Sequence, residues 1–81
     1  MQHDLKISSS YFWPVKAGRK TAELRKDDRN YQVGDILNLQ EYNNGKYTGR
    51  CVSVDVTHVL RNCEEYGLMA GYCILSIKAR M

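Results

Sequence analysis

The sequence predicts a mainly β fold, α+β by content, in which five or six short strands roll into a small pseudo-barrel with one short helix near the N-terminus. Three observations carry this. Apolar residues alternate at period two over residues 36–42, 51–60 and 72–79, the spacing of strands with one buried face. The pair Asn44-Gly45 separates the first two runs, and Asn-Gly is a strong two-residue hairpin signal. The chain has 81 residues, enough for one core and hence a single domain over residues 1–81, and closing the sheet is the simplest way for so short a chain to hide its edges.

Leu5 and Ile7 alternate with Lys6, so residues 4–7 read as the first strand. Ser8-Ser9-Ser10 offers hydroxyl caps for a helix carrying Tyr11, Phe12, Val15 and Ala17, and Gly18 is placed to end it in the left-handed conformation. Pro14 conflicts with that helix, because it lacks a backbone donor and crowds the preceding turn; the helix should start late or kink. From Thr21 the period becomes two. Thr21, Glu23 and Arg25 share one face, expected to meet solvent or a cleft, and Ala22 and Leu24 share the other, expected to meet the core. Asp27 to Asn30 turns the chain, and Gly34-Asp35 opens the strand that buries Leu37 and Leu39. In the long run over residues 51–60, Val52, Val54, Val56, His58 and Leu60 share the apolar face, so His58 is read as a core histidine. Residues 61–71 form a loop, and the last strand buries Cys73, Leu75 and Ile77.

Apolar residues make up 43% of the chain and charged ones 26%, as in ordinary globular domains. No apolar run approaches a bilayer span, so no membrane partner is expected. The opening Met-Gln-His-Asp is no secretory leader, and three cysteines without a Cys-x-x-Cys pair read as reduced thiols, Cys51 and Cys73 as small hydrophobes in strands; a cytoplasmic chain is expected. His3, His58 and Cys63 lack the paired spacing of structural zinc, no cysteine sits beside a base, and the glycines form no phosphate loop, so neither metal nor cofactor is expected. The net charge of +3 admits a polyanionic partner without requiring one.

The distribution of charge says more. Arg19, Lys20, Arg25, Lys26 and Arg29 fall within one short segment, interrupted by Glu23, Asp27 and Asp28. Lys20, Glu23 and Arg25 are candidates for a mixed-charge site that holds a planar polar ligand, Lys20 and Glu23 doubling as a proton-transfer pair. The plain alternative is an exposed ion pair of about 0–1 kcal/mol, since Lys-x-x-Glu is a common tetrapeptide. Tyr11, Phe12 and Trp13 precede the segment and Tyr31 follows it; aromatic faces interleaved with cations suit single-stranded nucleic acid. Phe12 is assigned to the core, and Trp13, Tyr11 and Tyr31 are the stacking candidates.

The order "KAGRKTAELR", "YQVGDIL", a hairpin, "CVSVDVTHVL" and "GYCILSI" resembles the ASCH family of the PUA-like superfamily, and within it the short prophage- and bacterium-associated members of unknown function. The resemblance runs from His3 to Ile77. It implies a PUA-like pseudo-barrel whose cleft lies beside the Gly-x-Lys-Thr element, and RNA or a modified nucleoside as the ligand. Carried over, Gly18, Lys20, Thr21, Glu23 and Arg25 fall on the cleft motif, with Lys26 and Arg29 beyond it. In ASCH members resembling amidohydrolases of acetylated cytidine, a Thr thought to be the nucleophile occupies the position of Glu23; here that hydroxyl is missing, and Glu64 or Glu65 is an open substitute for an acid those enzymes carry near the last strand. A binding module is therefore the first expectation, a small hydrolase of modified nucleosides the second, and an edge strand offered to an unknown protein partner the third.

Overall fold

A computed structural model of the chain describes residues 1–80. The elements are β1 (Gln2–Ser8), α1 (Ser9–Lys16), β2 (Ala22–Lys26), β3 (Ile36–Asn43), β4 (Lys46–Leu60), a 3₁₀ turn (Glu64–Tyr66) and β5 (Tyr72–Ala79). The strands form a single five-stranded sheet in the order β1-β3-β4-β5-β2. β3, β4 and β5 are an antiparallel meander; β1 joins one side parallel to β3, and β2 joins the other antiparallel to β5. The two edge strands thus both come from the N-terminal third, and the sheet curls into a half-barrel that brings them together.

Alternation decides what faces inward. Leu5 and Ile7, Leu37 and Leu39, Val52, Val54 and Val56, and Cys73, Leu75 and Ile77 fill the concave side, where Phe12, Val15 and Tyr31 join them. Asn44 and Gly45 take φ of 52° and 78°, the left-handed pair that a tight hairpin between β3 and β4 needs. Gly18 ends α1 as expected, at φ 76° and with its N–H donating to the Val15 carbonyl at 3.0 Å. α1 starts at Ser9 and continues through Pro14. The proline costs little there, because the carbonyl deprived of its donor belongs to exposed Ser10 in the first turn, where water replaces it.

Three expectations about facing are overturned. On β2, Ala22 is exposed and Leu24 is 60% exposed, whereas Glu23 is 6% exposed. Register explains it: Glu23 pairs with Leu75 and Arg25 with Cys73, both core residues, so the charged residues point inward and Leu24, opposite Ile74, points out. On β4 the register shifts between Val56 and His58. That irregularity reverses the alternation, leaving His58 exposed and packing Val59 against the core instead. Cys51 is exposed, because it lies opposite Gln40 on the convex side; only Cys73 behaves as a core residue.

Candidate functional site

The site sits where the curled sheet fails to close. β1 and β2 are not hydrogen-bonded as strands, and the gap between them is spanned by side chains: Arg25 Nη2 donates to the Lys6 carbonyl at 2.6 Å and Arg29 Nη1 to the Asp4 carbonyl at 3.3 Å. Beside this seam lies a cleft of about 520 Å³ lined by Lys6, Ser8, Tyr11, Lys20, Glu23 and Arg25, and it wraps the edge of β2 so that Ala22, Leu24 and Ile74 give it an apolar border.

Glu23 is the pivot. Its Oε1 accepts from Lys20 Nζ at 2.9 Å and its Oε2 from Arg25 Nε at 2.7 Å. The glutamate side chain is 8% exposed, the lysine 27% and the arginine 21%, so the carboxylate is the floor and the cations are the walls. Lys20 also donates to the Ala22 carbonyl; an ammonium has three donors, so one is left for the cleft. Among the described residues, Arg25 Nη1 has no protein partner. Each glutamate oxygen keeps a second lone pair as well. Tyr11, 55% exposed, places its ring 5.3 Å from Lys20 Nζ and gives the cleft an aromatic side.

The sequence-predicted residues divide accordingly. Lys20, Glu23 and Arg25 converge, and Tyr11 joins them. Thr21 does not: its carbonyl accepts the Ile77 N–H, and its side chain faces a separate depression with Lys16 and Gly18. Lys26 shares the outward face of Leu24, being two residues further along the strand. Arg29 latches the seam without lining the cleft. Tyr31 is 1% exposed and meets His3 edge-on with ring centroids 5.0 Å apart, so it is core and offers no stacking face. Trp13 is half exposed on the other side of α1, with Arg50 over its ring. Glu64 and Glu65, exposed on the 3₁₀ turn, do not line the cleft.

Two further buried carboxylates escape a reading by motif. Asp35 accepts from His3 Nε2 at 2.9 Å, the Gln32 N–H at 3.0 Å and the N-terminal ammonium at 3.2 Å. Burial pushes its pKa up, but these donors together outweigh burial and hold it below the ordinary value. Glu41, 1% exposed, accepts from the Thr48 hydroxyl at 2.6 Å and Arg50 Nε at 2.7 Å. Its pKa is lowered by the Thr48 hydrogen bond first, with Arg50 adding to it against the opposing effect of burial. The signal for Glu41 is in the alternation, since Leu37, Leu39 and Glu41 share parity on β3.

A family model described as a domain of unknown function, DUF3850, matches residues 2–77. The chain belongs to the DUF3850 family. The match takes in the whole of the cleft. The chain is also 47% identical over 57 residues to a protein of Escherichia phage P2 described as an uncharacterized 12.9 kDa protein in the GpA 3′ region. That alignment covers 70% of this chain and 52% of the phage protein, so the chain spans about half the length of this relative. The crystal structure of hypothetical protein PH0355 superposes with a TM-score of 0.69 at 18% identity, covering 99% of this chain and 100% of that one. The likeness extends the fold of this DUF3850 chain to a distant sequence, and extends nothing else. Among the described residues no helix is long and apolar enough to cross a membrane.

Proposed function

We propose that this DUF3850 domain is a cytoplasmic binding module of ASCH, PUA-like type that takes RNA or a modified nucleoside into the cleft between β1 and β2. The observation that carries the reading is the convergence of Lys20 and Arg25 on buried Glu23, with donors and lone pairs left over for a ligand. Such a floor presents both signs within a few ångströms. An exocyclic amine or ring N–H donates to Glu23, a base carbonyl or phosphate accepts from Lys20 and Arg25, and the base stacks on Tyr11. The cleft volume of about 520 Å³ falls in the range of small-ligand sites. The resemblance of the Gly-x-Lys-Thr-x-Glu-x-Arg element to ASCH sequences supports the same ligand class.

Binding of nucleosides and short single-stranded RNAs, titrated across a salt series, tests this. Affinity better than millimolar at low salt that weakens in Lys20→Ala and Arg25→Ala supports the module; millimolar affinity indifferent to both substitutions overturns it.

A second reading, hydrolysis of a modified nucleoside, is favoured by one distance, the 2.9 Å between Lys20 Nζ and Glu23 Oε1. A proton-transfer pair needs that contact. Against it, both carboxylate oxygens are held by cations, so activating a water requires the remaining lone pairs. Turnover of acylated nucleosides that disappears in Glu23→Gln would establish the enzyme over the binding module.

A further inference from the structure

α1 carries an aromatic side chain on each flank. Tyr11 and Trp13 are two residues apart, so they project from roughly opposite sides of the helix, with Phe12 between them in the core. Each meets a cation tied to a buried glutamate: Tyr11 meets Lys20 on Glu23, and Trp13 meets Arg50 on Glu41. The second arrangement is built by a bulge. Gln40 pairs with Cys51 and Tyr42 with Tyr47, so Thr48, Gly49 and Arg50 together oppose Glu41 alone. Gly49 takes φ 92° within it, and bulges of this kind re-aim side chains. Here Thr48 and Arg50 are turned onto the Glu41 carboxylate.

The consequence for Arg50 is specific. Its guanidinium is anchored through Nε alone, the side chain is 56% exposed, and among the described residues neither terminal nitrogen has a protein partner. Its carbon lies 5.3 Å from the centre of the Trp13 ring, which is 50% exposed. Tyr47, 57% exposed, and Arg50 line a depression of about 250 Å³ above Glu41. With the guanidinium over one face of a half-exposed indole and both its terminal nitrogens open, a nucleobase would stack on the indole's remaining exposed surface while its phosphate meets the arginine.

We propose that Trp13, Arg50 and Tyr47 form a second nucleotide subsite, so that the ligand is single-stranded RNA bridging α1 rather than a free nucleoside. The inference rests on the reading of the first cleft given above. Rings on opposite flanks of a helix are separated by its body, about 10–12 Å across with side chains, so a single base cannot stack on both and joint occupancy requires a chain of nucleotides. One base stacks on Tyr11 over Glu23; another stacks on Trp13, and Arg50 takes a phosphate.

Trp13 is the sole tryptophan of the chain, so its fluorescence reports this subsite and no other. The test titrates the protein with uridine monophosphate and with a uridine tetranucleotide at low salt, following both heat and Trp13 emission. The tetranucleotide is expected to bind at least tenfold more tightly than the mononucleotide and to quench Trp13, and the mononucleotide to bind without quenching. Trp13→Ala should weaken tetranucleotide binding by about 10- to 100-fold, down to the mononucleotide level. Binding heat from the tetranucleotide without any change in Trp13 emission, or tetranucleotide affinity equal to that of the mononucleotide, overturns the second subsite and leaves the first cleft standing. Absence of heat from either ligand overturns both. Because the emission is read in the unmodified protein, the result does not depend on how any variant folds.

Discussion

Arg25 joins the two free edges of the sheet: its Nη2 donates to the Lys6 carbonyl of β1 while its Nε holds Glu23 on β2. The residue that shapes the candidate cleft is also the residue that closes the half-barrel. Arg25→Ala should therefore cost stability as well as binding. Stranding buried Glu23 on Lys20 alone costs about 1.5–3 kcal/mol by the usual value of a hydrogen bond to a charged group, and each kcal/mol lowers the melting temperature of a domain this size by about 4–8 °C. Thermal unfolding of Arg25→Ala beside Lys20→Ala, which leaves the seam contact in place, checks it; an unchanged midpoint in Arg25→Ala would show its own contact to be idle, the Arg29 latch carrying the seam.

The reversed facing of β2 gives a contrast between neighbours. Leu24→Ser should change stability by less than about 0.5 kcal/mol, because the side chain is already in water. Leu75→Ala, in the core opposite Glu23, should cost about 2–5 kcal/mol. Urea midpoints of the two variants decide between this register and the opposite one.

Acid should weaken the fold through Asp35. Its folded pKa lies below the ordinary value, so it contributes stability that is present above the unfolded carboxyl pKa, about 3.9, and is lost as pH falls through the folded one. An ionised carboxylate only accepts, which assigns the proton to His3 Nε2. Asp35→Asn should flatten the dependence of the urea midpoint on pH below about 4, and should lower stability at neutral pH by about 1–3 kcal/mol as the His3 and Gln32 donors lose an ionised partner. Equal acid sensitivity in the variant and the parent would assign that limb to other groups.

Salt dependence counts phosphates. For single-stranded RNA the logarithm of affinity should fall with the logarithm of salt by about 0.7 per phosphate neutralised. Lys20→Ala should reduce that slope by about one contact, whereas Lys26→Ala, on the outward face of β2, should leave it unchanged.

The meander, the hairpin and the helix end were legible because each rests on local chemistry: period-two alternation for Leu37, Leu39, Leu75 and Ile77, positive φ for Asn44 and Gly45, and a glycine stop for α1. The grouping of Lys20, Glu23 and Arg25 was legible too, since they lie on or just before one strand. Which way that strand faced was not. Parity alone leaves two choices, and the apolar character of Leu24 favours burying it; pairing of Glu23 and Arg25 with Leu75 and Cys73, about fifty residues away, selects the other. His58 shares the parity of Val52, Val54 and Val56 in the sequence but leaves their face at an irregularity that only its pairing with β5 reveals. Tyr31 resembles an exposed aromatic among charges until His3 of β1 is packed on it.

The edge strands β1 and β2 precede the strands they pair with, β3 and β5, and β5 follows every other described strand. During synthesis β1 and β2 therefore emerge before the strands they pair with, while α1 and the β3-β4-β5 meander form from adjacent segments. The cleft is complete only when β5 is in place, because the strand carrying Glu23 and Arg25 pairs with it. Any molecule that binds across this seam would meet only chains in which β5 is in place, and would slow unfolding without hastening collapse.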